Sequence, residues 1–167
     1  IWGPSYDVYG RDDRTNAEAV AFARSVGGLA GYVHPVGVSD PFSENGRRSV
    51  PVELVADCVL GDCDMIEVGC LWTDEIGTGA LWHEFLNLGL PVGLSAGSDV
   101  MTDYYRTMAI GATRLYVKPE GDLSITAYLD AMKKGRSFVS NGPQVLLEVN
   151  DQLPGGVITT DKRKVSW

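Results

Sequence analysis

No apolar run in this chain reaches the ~18 residues needed to cross a bilayer, which excludes a membrane-spanning helix. The N-terminus, Ile1-Trp2-Gly3-Pro4, has neither the basic start nor the apolar core of a signal peptide, and it lacks an initiator Met. The chain is therefore expected to be an internal fragment or a processed product. A soluble protein is expected, with the parent's compartment left open, periplasmic and extracellular locations included. Basic residues are outnumbered, 14 Lys and Arg against 22 Asp and Glu, for a net charge of −8. Nucleic-acid backbones and anionic membranes need clustered cations, so neither is expected as a partner. Only Arg47-Arg48, Lys133-Lys134 and Lys162-Arg163-Lys164 group together, and a solvated surface accounts for each. Cysteine is sparse and odd in number: Cys58, Cys63 and Cys70 cannot all pair within the chain. Their C-x4-C-x6-C spacing is not that of a zinc ribbon, and buried free thiols are expected.

What remains is ordinary for a globular protein: 167 residues, 44% hydrophobic and 22% charged, enough for one compact domain with a sizeable core. Thr15 or Asn16 caps a helix over Ala17–Val26, with Glu18 in its first turn and Gly27-Gly28 as its stop. Strands are expected at Leu29–Val33, Met65–Val68, Val92–Ala96 and Arg114–Val117, and helices at Val52–Leu60, Ala80–Leu88 and from Ser124 to Lys134. This alternation predicts parallel βα units. After Gly135 the texture changes. Ser137–Ser140, Val145–Val149 and Val157–Thr160 are short strand candidates separated by Asn-Gly-Pro, Asn-Asp and Pro-Gly-Gly, the turn chemistry of antiparallel structure.

Two strand ends carry the chemistry. His34 closes Leu29-Ala30-Gly31-Tyr32-Val33, and Asp99 follows Pro91-Val92-Gly93-Leu94-Ser95-Ala96 by way of Gly97-Ser98. In α/β barrels, side chains at the C-terminal strand ends converge on the active site. An imidazole and a carboxylate brought together there suit Zn²⁺ or Mn²⁺. Taken singly, such a His is often a hydrogen-bonded structural residue, and such an Asp a turn or helix cap.

The order of these runs resembles the PHP (polymerase and histidinol phosphatase) metallohydrolases. The residues concerned are Leu29–Pro35, Met65-Ile66-Glu67-Val68 and Leu88–Asp99. The later runs Arg114-Leu115-Tyr116-Val117 and Gly135-Arg136-Ser137-Phe138-Val139-Ser140-Asn141-Gly142-Pro143 resemble its CehA/McbA-like, carbaryl-esterase-like branch. The resemblance covers roughly residues 15–158. It implies an α/β fold, part of a distorted (β/α)7 barrel over residues 1–143, followed by the start of a β-rich region at 144–167. It implies a divalent metal ion, Zn²⁺ or Mn²⁺, with His34 and Asp99 as ligands. Glu67, at the end of the intervening strand, either ligates or hydrogen-bonds at the rim. The family's opening H-x-H strand has no counterpart here: the other His is His83, mid-helix, and Asp99-Val100-Met101 lacks the His of a D-x-H.

The implied activity is hydrolysis of a phosphoester, ester or amide bond of a small-molecule substrate by metal-activated water. Asp99 would bind metal and accept the water's proton. Arg114 or Arg106 would hold an anionic substrate group, or else make a structural salt bridge. Tyr104 and Tyr105 would line the pocket or simply pack. Asn141 is expected to serve a turn. The missing ligands would come from an N-terminal segment absent from this chain, or from another copy of it. The alternative is a structural or binding domain with a degenerate metal site. A third reading takes Gly93-Leu94-Ser95-Ala96-Gly97 as a nucleophile elbow, although Ser95 then lies inside the expected strand.

Overall fold

A computed structural model describes residues 15–100 and 109–161. The fold is mixed α/β, with a small parallel sheet and a separate antiparallel pair. Helix α1 (Asn16–Ser25) starts where the sequence places it. Thr15 accepts the Glu18 N–H, and the Glu18 carboxylate returns a bond to the Thr15 N–H at 2.8 Å, a closed capping box. Gly27, at φ 78°, reverses the chain into strand β1 (Gly31–Tyr32). Helix α2 (Leu54–Leu60) leads to β2 (Met65–Gly69), then α3 (Glu75–Asn87) and β3 (Gly93–Ala96). Strands β1, β2 and β3 pair in that order, all parallel, with Gly31 opposite Met65 and Ile66 opposite Leu94. All three C-terminal ends therefore meet at one edge of the sheet.

The period of two along β2 divides the core. Ile66 packs with Leu54, Cys58, Leu81 and Phe85 from α2 and α3. Its neighbour Met65 points the other way, against Leu29 and, from α4 (Ile125–Lys133), Leu129 and Met132. Asp64 ties the N-terminal ends together. Its carboxylate accepts from the Ala30 N–H at 3.0 Å and from Arg24 Nε at 3.0 Å, while its backbone bonds Ala30 and Gly93. Asp64→Ala would leave the Ala30 N–H and the Arg24 guanidinium without this acceptor. It is expected to cost about 2 kcal/mol, read as a lower urea midpoint at unchanged slope.

Three expectations need correction. Strand β4 (Arg114–Val117) does not continue the parallel series: it pairs antiparallel with β5 (Ser137–Ser140), Arg114 opposite Ser140 and Val117 opposite Ser137. Gly135, at φ 67°, ends α4 so abruptly that β5 leaves the helix running back along β4. Stacked rings of Tyr116 and Phe138, 4.9 Å apart, fix the register. Helix α3 begins at Glu75 rather than near Ala80, because Asp74 caps it by accepting the Gly77 N–H at 2.8 Å. The strands expected at 145–149 and 157–160 are absent among the described residues. Asn150 and Asp151 do adopt the two positive φ values of a tight hairpin turn, but only Val149 and Gln152 pair across it. Val145, Leu146 and Val157 are exposed, and a hairpin with no apolar face to bury does not propagate. No helix among the described residues is long and apolar enough to cross a membrane.

Candidate metal centre

The parallel sheet delivers four side chains of metal-ligating type to its C-terminal edge: His34 two residues beyond β1, Glu67 within β2, Cys70 just beyond β2, and Asp99 three residues beyond β3. Glu67 follows Met65 on the same face of β2, one step nearer the edge, and is almost wholly buried. Its Oε2 accepts the backbone N–H of His34 at 3.1 Å, so the carboxylate on the middle strand holds the turn that ends the first. Beyond His34 the chain is anchored by Pro35 and Val36, both fully buried, and by the Asp74 N–H donating to the Val36 carbonyl at 2.9 Å. On the other side, the Gly97 N–H donates to the Gly69 carbonyl at 3.0 Å, and Ser98 Oγ accepts the Gly111 N–H at 2.7 Å. These bonds aim Asp99 back at His34, and His34 Nε2 lies 3.2 Å from Asp99 Oδ2.

Both of these residues sit in the left-handed region, His34 at φ 45° and Asp99 at φ 49°. Such a conformation is uncommon for non-glycine residues and persists only where the surroundings enforce it; it concentrates at functional sites. Among the described residues the other two non-glycine cases, Asn150 and Asp151, are the tight turn already explained. The His34 and Asp99 side chains are 42% and 37% exposed, open to a ligand from solvent, whereas Glu67 and Cys70 lie behind them.

One ligand atom each from His34, Glu67 and Cys70 falls within 4.8 Å of the others. Bond lengths of about 2.0–2.3 Å put ligand atoms on a tetrahedral zinc roughly 3.3–3.8 Å apart, so small side-chain rotations close the set. The Cys70 sulfur accepts the Trp72 N–H at 3.3 Å and lies 3.4 Å from Thr73 Oγ1. Burial pushes the Cys70 thiol up from its ordinary value; the Thr73 hydroxyl opposes this, and the Glu67 carboxylate adds to it. On the far side of the sheet edge, the shared hydrogen bond raises Cys58 and lowers Cys63. All three thiols are free and buried, as the sequence predicts. Since the thiolate is the reactive form and access is also needed, Ellman's reagent is expected to modify them slowly in native metal-free protein and all three promptly in denaturant. Prompt reaction of any one in the native state would contradict this packing.

Of the residues singled out from sequence, His34 meets both Asp99, by its ring, and Glu67, by its backbone N–H, while Asp99 lies outside the cluster of ligand atoms that His34 and Glu67 form with Cys70. Arg114 stands exposed at the start of β4, its guanidinium 5.8 Å from the centre of the Tyr116 ring. Arg114 belongs to the separate antiparallel pair, and its neighbour Thr113, packed on Gly69, sets the start of β4 beside the end of β2. Tyr104, Tyr105 and Arg106 lie outside the described residues. His83 is exposed on α3 with its ring beside Trp82, remote in role from the site. Ser95 is buried mid-strand opposite Glu67, which does not fit a nucleophile elbow. Asn141 does more than turn the chain: its Nδ2 donates to Glu75 Oε2 at 3.0 Å, pinning the end of β5 to the start of α3. Cys70, expected from the sequence only as a buried free thiol, is the residue that joins this cluster without having been singled out for it. It follows an apolar strand, as His34 and Asp99 do, but strand alternation alone would direct it away from Glu67.

No family model, curated protein or solved structure matches this chain.

Proposed function

We propose that the chain carries the metal centre of a PHP-like hydrolase, with His34, Glu67 and Asp99 holding a divalent ion, Zn²⁺ or Mn²⁺. The observation that supports this most is the meeting of His34 and Asp99 from separate strands, both in enforced left-handed conformations, at 3.2 Å. That separation is about what two ligands on one ion require. A bound ion would lower the pKa of a water molecule toward neutrality and polarise the scissile phosphoryl or carbonyl group. Asp99, whose side chain is 37% exposed, would take the proton from that water. Glu67 keeps His34 in position through the His34 N–H, and its burial leaves it no role in contacting substrate.

Arg114 is proposed to anchor an anionic group of the substrate from the start of β4, beside the end of β2. Arg114→Ala is expected to raise KM about 10-fold with kcat little changed, the pattern of a lost binding contact. Equal loss in kcat and kcat/KM would assign Arg114 to the transition state instead.

The functional test is hydrolysis of p-nitrophenyl phosphate, bis(p-nitrophenyl) phosphate and p-nitrophenyl acetate by the purified chain loaded with Zn²⁺ or Mn²⁺. Turnover abolished by chelator and by Asp99→Ala supports the hydrolase. A second reading, a binding domain with a reduced metal site, draws on the single imidazole present in the site among the described residues. Bound metal without turnover on any of these substrates would favour it.

A further inference from the structure

We propose that Cys70 is a metal ligand, making this a mixed imidazole–carboxylate–thiolate centre that selects Zn²⁺ over Mn²⁺. The inference rests on the proposal that the site binds a divalent ion, and adds the donor that sets which one.

Strand geometry supplies the first argument. Along a regular strand residues 67 and 70 project to opposite faces, so Cys70 would be directed away from Glu67. The pairing of β2 with β3 is not regular. Glu67 lies opposite Ser95, yet Gly69 lies opposite Ala96, so two residues of β2 answer one of β3. This one-residue bulge inverts the alternation and turns the Cys70 sulfur to the side of Glu67 and His34. Gly69 lies at this shift, packed so closely that a Cβ there would come within 2.6 Å of the Thr113 methyl. Bulges recur beside active sites because they re-aim a side chain in this way.

The surroundings of the sulfur supply the second. Cys70 is only 4% exposed, yet its sulfur is met by two polar groups, the Trp72 N–H and the Thr73 hydroxyl. Outer-shell donors of this kind hold a ligand in place and tune it. The loop from Cys70 to Asp74 is locked at its far end by the α3 cap, so the sulfur is positioned before any ion arrives. A thiolate is a soft donor that favours zinc, whereas carboxylate and water suit manganese. Cys58 and Cys63 have no part in this. They sit in the core with Ile66 and Val92, Cys58 on α2 itself.

The test uses Co²⁺, whose visible bands report binding and whose near-ultraviolet band reports a thiolate bond. The intact chain titrated with Co²⁺ is expected to develop both, stoichiometrically. Cys70→Ser is expected to lose the thiolate band, and its preference for Zn²⁺ over Mn²⁺ to fall about 10-fold or more. A Cys58→Ala/Cys63→Ala variant is expected to keep the band. X-ray absorption at the zinc edge of the unaltered chain gives an answer that needs no variant: one sulfur at about 2.3 Å. Visible bands without a thiolate band, or a thiolate band surviving Cys70→Ser, would overturn the role of Cys70 and leave the metal site standing. No Co²⁺ or Zn²⁺ binding at all would overturn both.

Discussion

Glu67→Ala is expected to lower the affinity for Zn²⁺ by more than about 100-fold, since losing an outer partner alone typically costs 10–100-fold. It should also cost about 1.5 kcal/mol of stability, because the His34 N–H would lose its charged acceptor in a nearly buried place. Glu67→Gln separates the two roles. The amide oxygen can still accept the His34 N–H, so stability is expected to stay close to that of the unaltered chain, but the charge that binds the ion is gone. Calorimetric titration with Zn²⁺ together with urea denaturation reads both quantities. Tight zinc binding by Glu67→Gln would show that Glu67 only supports the loop and is not itself a ligand.

Gly31→Ala is expected to be the most damaging substitution of a single small residue. Gly31 lies opposite Met65 in the sheet, and a Cβ on it would run into the Met65 carbonyl, which is backbone and cannot swing aside. Strand β1 would have to separate from β2, taking with it the turn that carries His34. Overpacking of this kind costs about 3 kcal/mol, and the metal site should weaken along with the fold. Gly79→Ala is the control. Gly79 lies within α3 with nothing near its would-be Cβ, so alanine there is expected to be neutral or to stabilise by about 0.5–1 kcal/mol. Similar urea midpoints for the two variants would mean that β1 is not held as tightly to β2 as the register implies.

Local chemistry was legible in the sequence where a few neighbouring residues settle the matter. Thr15 with Glu18 announces α1, Ser124 and Gly135 bracket α4, and apolar runs mark β2 and β3. The start of α3 was hidden because Gly77 and Gly79 make its first turns look like loop, although Asp74 provides the cap. The partner of β4 was not legible, since four residues of strand do not declare which neighbour they will bond. The Asn150-Asp151 turn was readable, but the lack of a surface for its flanking residues to cover was not. At the site, His34 and Asp99 were found because each directly ends or follows an apolar strand. Cys70 follows one too, but the strict alternation of a strand argues against its joining Glu67. Only the β2–β3 register reveals the bulge that reverses that argument.

Three strand ends of this chain are proposed to build one divalent-metal site. Elemental analysis of the purified chain, after incubation with Zn²⁺ or Mn²⁺ and removal of excess, tests it most directly, with His34→Ala and Asp99→Ala alongside. Stoichiometric metal in the unaltered chain, lost in both folded variants, is the predicted result. Metal at background in the unaltered chain, or retained in full by both variants, would contradict it.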